Sequence, residues 1–295
     1  MVLQCPSSLR SIEDIHEWLN RCAIAYEANQ AGENLYVDLS SLRWVSPIGC
    51  SVLLASLIRL DQAFYLKTSI PERNEMDGYD VIGYMERMDF FKFCPEDVRK
   101  SFELSLDMAS YYNRNRNNKK NSLNELTVSV SDEDVIALHH SVREIMKDKE
   151  LPQNRISDIT RIATELGNNA IEHGHEDQDT PCISCIQYYK KRNKVEIAIC
   201  DTGMGIVHSL KNYVSYTDND DIVRQAILTK ASRLIHQERG KGLVDVKNIT
   251  FTWSSDAEFY VRTHDSIYRI HNDDIERIEQ GSYFFGTYFY IVIHT

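Results

Sequence analysis

Apolar residues recur at three- and four-residue intervals through Ile12, Ile15, Leu19, Cys22 and Tyr26, the spacing of one helical face. Ser11 stands at the capping position and Gly32 supplies a stop. LYVDL (35–39) then alternates as a strand. A turn-like SSLRWVSPIG leads into a second helix, CSVLLASLIRL, with Leu53, Leu54, Leu57 and Ile58 on its apolar side. FYLKTSI (64–70) reads as a strand and VIGYMERMDFF as one further helix. Strands separated by helices predict a small α/β sheet with parallel pairs.

The segment 111–122, YYNRNRNNKKNS, breaks the pattern. It is polar, Asn-rich and locally basic, so it cannot bury surface and reads as a linker. Periodicity resumes with the strand LTVSV and the helices DVIALHHSVREIM and ISDITRIATELGNNAIEHG. CISCIQYY and VEIAIC (195–200) follow as strands, Val195, Ile197 and Ile199 alternating with three other side chains. A polar stretch with one helix, DDIVRQAILTKAS, leads to RGKGLVDVKNI, and the end is hairpin-like: EFYVRTH, SIYRIH and GTYFYIVI. The chain is thus divided at 1–110, 111–122 and 123–295.

At 295 residues, 42% hydrophobic and 26% charged, the chain has enough apolar surface for two cores. Its formal charge of −11 repels phosphate backbones and argues against direct nucleic-acid binding. No apolar run reaches membrane-spanning length, and MVLQCPSSLRS lacks the basic start and apolar stretch of a signal peptide. No membrane partner and a cytoplasmic location are expected. Seven scattered cysteines suggest reduced, buried thiols. Cys182 and Cys185 form the one CxxC; on a strand they point to opposite faces, which favours core filling over metal or redox chemistry.

Chemistry concentrates in three places. Around the helix of 159–173, Ile159, Ile162, Ala163, Leu166 and Ala170 form a core-facing stripe, and Glu165, Asn169 and His173 line up along its edge at spacings of four. Asn168–Asn169 inside a good helix costs stability, which points to function. Next, Asp201-Thr202-Gly203-Met204-Gly205 follows a strand directly. An aspartate there can accept from an exocyclic amine while Gly203 and Gly205 let the backbone approach a flat ring. Last, Arg239-Gly240-Lys241-Gly242-Leu243 leads into a helix. Its glycines free N–H groups toward phosphate oxygens, and Arg239 and Lys241 add cationic donors.

In this order and spacing, ELGNNAIEHG, DxGxG, RGKGL and a closing Gly286-Thr287 resemble the GHKL ATP-binding superfamily, and within it the anti-sigma-factor serine kinases. The resemblance covers about 170 residues. It implies a Bergerat-type α/β sandwich of helices on a mixed sheet, with ATP and Mg²⁺ as cofactors. Carried over, Asn169 is the Mg²⁺ ligand and Glu165 polarises the nucleophile. Asp201 receives the adenine amine with Gly203 and Gly205 behind it, and Thr287 sits nearby. Arg239, Gly240, Lys241 and Gly242 close over the phosphates. His173 matches the pattern without an assigned role. Residues 206–239 would be a mobile lid; they and the stretch from Thr252 to Gln280 depart from a minimal kinase pattern, which bears on turnover more than on binding.

NLYVDLSSLRWVSPIGCSVLLASL resembles the STAS fold of anti-anti-sigma factors, with reduced opening strands; a plain α/β interaction domain is the alternative. The family's acceptor serine aligns with Pro47, which has no hydroxyl, and Ser46 stands one residue earlier. The resemblance implies a serine/threonine protein kinase acting on a regulatory partner, itself STAS-like or sigma-factor-like, with homodimerisation also implied. A nucleotide-gated binding module or a slow ATPase is the competing reading. A histidine kinase is a third: His140-Ser141-Val142-Arg143-Glu144 suggests a phospho-acceptor box but lacks the following proline.

Overall fold

The computed structural model describes residues 2–71, 80–114, 123–147, 151–174, 180–229, 242–253 and 256–294. The chain forms two compact units, Met1–Lys119 and Lys120–Thr295.

The first unit runs β1 (Val2–Gln4), β2 (Ser8–Leu9), α1 (Ile12–Ala28), β3 (Asn34–Asp38), β4 (Trp44–Val45), α2 (Pro47–Asp61), β5 (Tyr65–Ser69), α3 (Val81–Arg87), α4 (Phe90–Phe93), α5 (Glu96–Ser105) and α6 (Ala109–Tyr112). Its sheets, β1-β3-β5 and β2-β4, are parallel, as expected. Leu3, Leu35, Val37 and Leu66 face the core, whereas Val2, Tyr36 and Tyr65 are exposed. Ser11 caps α1 in a reciprocal capping box with Asp14. The helix stops at Ala28 rather than Gly32, because Asn29 turns extended and its amide donates to Ala25 O at 2.6 Å.

Three expectations for this unit change. The second helix begins at Pro47, not Cys50: Ser46 Oγ accepts from Gly49 N, and proline at the first helical position loses no intrahelical bond. The helix expected over VIGYMERMDFF is two helices, broken where Asp89 adopts a left-handed φ of 62°. Aspartate tolerates that conformation, and the break buries Met88, Phe90 and Phe91 together. Tyr111 and Arg114, placed in the linker by composition, belong to the first unit. Tyr111 is buried, and Arg114 pairs with Asp80 while lying over the Tyr111 ring.

The second unit runs β6 (Leu123–Ser129), α7 (Asp132–Lys147), α8 (Gln153–Gly174), β7 (Cys182–Tyr189), a 3-10 turn, β8 (Lys194–Cys200), α9 (Gly205–Leu210), α10 (Asn219–Leu228), α11 (Gly242–Trp253), β9 (Glu258–Thr263), β10 (Ser266–Ile270), β11 (Ile275–Gln280) and β12 (Thr287–His294). The strands form one sheet ordered β11-β10-β9-β12-β8-β7-β6. The expected sandwich of helices on a sheet is present. Among the described residues every pairing within this sheet is antiparallel rather than mixed, and the parallel pairs belong to the sheets of the first unit.

The apolar stripe of α8 packs with α7, α9, α10 and α11 against Val195, Ile197 and Ile199 of β8 and Phe289, Ile291 and Ile293 of β12. Ile159, Ile162, Ala163 and Leu166 have no solvent exposure; burying an aliphatic side chain this fully is worth about 1.5–3 kcal/mol. The other face of β8 is also buried, since the strand is central. Cys182 and Cys185 are buried thiols outside any disulfide, on opposite faces of β7 as strand geometry requires.

Candidate nucleotide site

Residue spacing on α8 sets the first half of the site. The stripe fixes the helix against the sheet, and Gly167 admits α7 so closely that a Cβ there would lie 3.3 Å from Val135 Cγ1. Glu165 and Asn169, one turn apart, therefore emerge at the rim of the core, each partly buried. Both face the start of α11. A Cβ added to Gly242 would lie 2.8 Å from Glu165 Oε2 and 3.4 Å from Asn169 Nδ2. Any side chain at residue 242 would fill the space these two groups share. The Asn169 amide nitrogen is buried there without a hydrogen-bond partner, a state that costs about 1–3 kcal/mol unless a ligand meets it. Burial raises the Glu165 carboxyl above its ordinary range; the nearby Arg161 guanidinium opposes this, while Asp245 and Glu172 add to it.

The start of α11 is held in place by its own contacts. Asp245 pairs with Arg161 of α8. At the other end, Trp253 Nε1 donates to Asp158 Oδ2 at 2.9 Å and Arg155 lies 3.9 Å over the Trp253 ring. None of these clamp residues stood out in the sequence, because Arg155, Asp158, Arg161 and Asp245 are ordinary charges and Trp253 an ordinary apolar position until the two helices are laid side by side.

The second half lies at the ends of β8 and β12. Asp201 continues the ladder by donating its N–H to Thr287 O at 2.9 Å, and its Oδ1 accepts from Gly203 N at 2.8 Å. Burial pushes the Asp201 carboxyl up to about 7, against the lowering effect of the Gly203 and Thr287 backbone N–H groups on the carboxylate. Gly205 takes φ +73° and Gly286 φ +92°, and a Cβ on Gly286 would stand 1.9 Å from Asp201 O. Thr263, absent from the sequence-based set, ties the loop: its Oγ1 accepts from Ile206 N at 3.0 Å. Gly286→Ala is expected to destabilise the chain by about 2–4 kcal/mol, because backbone strain and a backbone clash coincide. A shift of the urea midpoint at unchanged m-value measures it.

The structure thus brings Glu165, Asn169 and Gly242 together, and separately Asp201, Gly203, Gly205 and Thr287. Arg239, Gly240, Lys241 and the His173 side chain lie outside the described residues. The lid expected over 206–239 starts too early. Ile206, Val207, Leu210, Ile222, Val223, Ala226 and Ile227 of α9 and α10 are buried in the core, where their helical spacing places them. The unassigned stretch from Thr252 to Gln280 holds the end of α11 and β9, β10 and β11, which extend the sheet to its edge.

The arrangement fits magnesium nucleotide. No group of three or more His, Cys, Asp or Glu side chains suited to a metal occurs among the described residues. A single asparagine, however, suits Mg²⁺, which keeps several waters and is held largely through substrate phosphates. The N-terminus of the twelve-residue α11 adds oriented N–H groups beside Asn169.

Residues 128–255 match the family model of the histidine kinase-like ATPase domain, which supports a GHKL-type ATP-binding domain in this part of the chain. The match takes in Glu165, Asn169, Asp201, Gly203, Gly205 and Gly242 and stops short of Thr287 and the first unit. No curated protein matches the chain. No helix among the described residues is long and apolar enough to cross a membrane.

Proposed function

We propose that the second unit binds Mg·ATP and transfers the γ-phosphoryl group to a serine or threonine hydroxyl of a partner protein, as an anti-sigma-type kinase does. The observation that carries this reading is the convergence of the Glu165 carboxylate and the unsatisfied Asn169 amide on Gly242 at the head of α11. Asp201 receives the adenine amine, with Thr287 beside it. Asn169 holds Mg²⁺, which when bound neutralises phosphate charge. Arg239, Gly240 and Lys241 supply further donors to the phosphates. The acceptor hydroxyl gives its proton to Glu165 as its oxygen bonds to the γ-phosphorus, and ADP leaves. Such transfer depends on positioning and charge neutralisation, and the raised Glu165 carboxyl is suited to the base role.

The partner is a STAS-like or sigma-factor-like regulator in the cytoplasm, and neither nucleic acid nor membrane is a direct partner. The first unit is a degenerate STAS-like module that is not itself the acceptor. Pro47 occupies the acceptor position, and the neighbouring Ser46 hydroxyl caps α2 and contacts Leu9 O at 3.2 Å. A homodimer is part of this reading. A nucleotide-gated module, or slow ATPase, is the second reading. What favours it is the clamping of α11 to α8, which would couple nucleotide at Gly242 to the surface around α11.

γ-Labelled Mg·ATP incubated with the protein and an extract of its source cells separates the two. Label appearing on a protein, and absent with Glu165→Ala, supports the kinase. Nucleotide binding without protein labelling leaves the gated module.

Adenine recognition should depend on pH. The folded Asp201 carboxyl, raised to about 7, holds its proton more tightly than in the unfolded chain. Its contribution to stability is therefore full below the unfolded pKa and is lost as pH rises through 7. The ionised carboxylate is a much stronger acceptor for an adenine amine than the neutral acid, so affinity runs the other way. Adenosine, which carries no titrating phosphate, should bind about tenfold more weakly at about pH 6 than at about pH 8. The dependence should vanish in Asp201→Asn, and calorimetry at the two pH values measures it.

A further inference from the structure

Glu165 is reached from two sides. α11 approaches it at Gly242, and towards α7 it lines a cleft of about 170 Å³ together with His139, Arg143, Ser157, Thr160, Arg161 and Thr164. Helical spacing builds the two walls: His139 and Arg143 stand one turn apart on α7, and Arg161 and Glu165 one turn apart on α8. The 3.1 Å contact between His139 Nδ1 and Thr164 Oγ1 ties the walls together. The charges in the cleft are unequally answered. Arg161 pairs with Asp245 through Nη2, which orients a guanidinium that carries five donors in all. Glu144, next to Arg143 in the chain, is taken by Lys147 at 2.5 Å, and Arg143 has no ion pair among the described residues. The hydroxyls of Thr160 and Thr164 donate to Ile156 O and Thr160 O at 2.7 and 2.8 Å, so the donors left to a ligand are chiefly guanidinium N–H groups.

Resting on the phosphoryl-transfer reading, we propose that this cleft selects the acceptor: Arg143 and Arg161 take the carboxylate of an aspartate or glutamate lying close in sequence to the serine or threonine that Glu165 deprotonates. Charge complementarity favours this occupant. Guanidinium groups meet a planar carboxylate with paired N–H···O bonds, and the volume admits one acidic side chain rather than a length of chain. Spacing sets where the acid falls. One helical turn separates Arg161 from Glu165, a rise of about 6 Å, which an extended acceptor covers in about two residues. The protein carries a net charge of −11, so it repels an acidic acceptor at large and needs a local cation to hold one beside Glu165. The two arginines set specificity and take no part in bond-making. The γ-phosphoryl group still passes to the acceptor oxygen, the hydroxyl proton to Glu165, and ADP leaves.

Arg143→Glu in the labelled transfer assay tests the cleft, since this exposed side chain can be reversed without disturbing the core. The KM for the labelled protein should rise about tenfold or more at unchanged kcat and unchanged Mg·ATP affinity, with Arg143→Gln between the two. Mass spectrometry of the labelled protein should place an aspartate or glutamate within about three residues of the acceptor. Exchanging that acid for lysine should lower labelling by the wild type and restore labelling by Arg143→Glu, a rescue that a merely structural role for Arg143 does not give. A KM indifferent to Arg143→Glu, an acceptor without such an acid, or a failed rescue overturns the cleft's role and leaves the kinase reading standing. A wild-type chain that binds Mg·ATP and labels no protein removes both.

Discussion

Asn169→Ala is expected to weaken Mg·ATP binding about 100-fold or more while leaving the fold at least as stable as before. Among the described residues the amide nitrogen at the head of α11 is buried and unpartnered, and its oxygen is the protein ligand proposed for the metal. Losing a charge-assisted bond and a metal ligand together removes about 3 kcal/mol of binding, or about two factors of ten. Asparagine costs a helix interior up to about 0.7 kcal/mol relative to alanine, so the thermal midpoint of the free chain should hold or rise. Lost binding with an unchanged midpoint separates a ligand role from a structural one. Equal affinity in the variant would move the nucleotide elsewhere.

Glu165→Gln is expected to lower phosphoryl transfer by about 10²–10⁴ while Mg·ATP affinity stays within a few fold. Glutamine keeps the shape against Gly242, where space is short, and removes the ability to take a proton. It also removes a partly buried negative charge beside the proposed phosphate position, so the nucleotide is expected to gain rather than lose. With the carboxyl raised by burial, the wild-type rate should climb with pH through that raised range, and the variant should show no such limb. A variant that transfers at the wild-type rate excludes Glu165 as the base.

How far the site was legible in the sequence follows from the kind of signal each part carries. The α8 stripe and the four-residue spacing of Glu165 and Asn169 are local properties of one helix, and they appear in space as read. Asp201 and the glycines after β8 were legible for the same reason: a strand end followed by Gly203 and Gly205 is a local pattern. Thr263 and the Arg161–Asp245 pair were not, because each matters only across elements far apart in the chain. The lid was drawn too long because the helix read over DDIVRQAILTKAS was counted within it, although Ile222, Val223, Ala226 and Ile227 are spaced to face the core. β11 went unread since only Ile275 of its six residues is buried, as befits an edge strand. In the first unit, Asp89 broke an otherwise continuous helical pattern through one left-handed residue that no periodicity announces.

The most direct test is calorimetric titration of Mg·ATP into the full chain beside Asn169→Ala and Asp201→Ala. The account predicts one nucleotide per chain, dependence on Mg²⁺, and near loss of binding in both variants. Binding of equal strength in all three proteins, or none in the wild type, would contradict a nucleotide site built from these two halves.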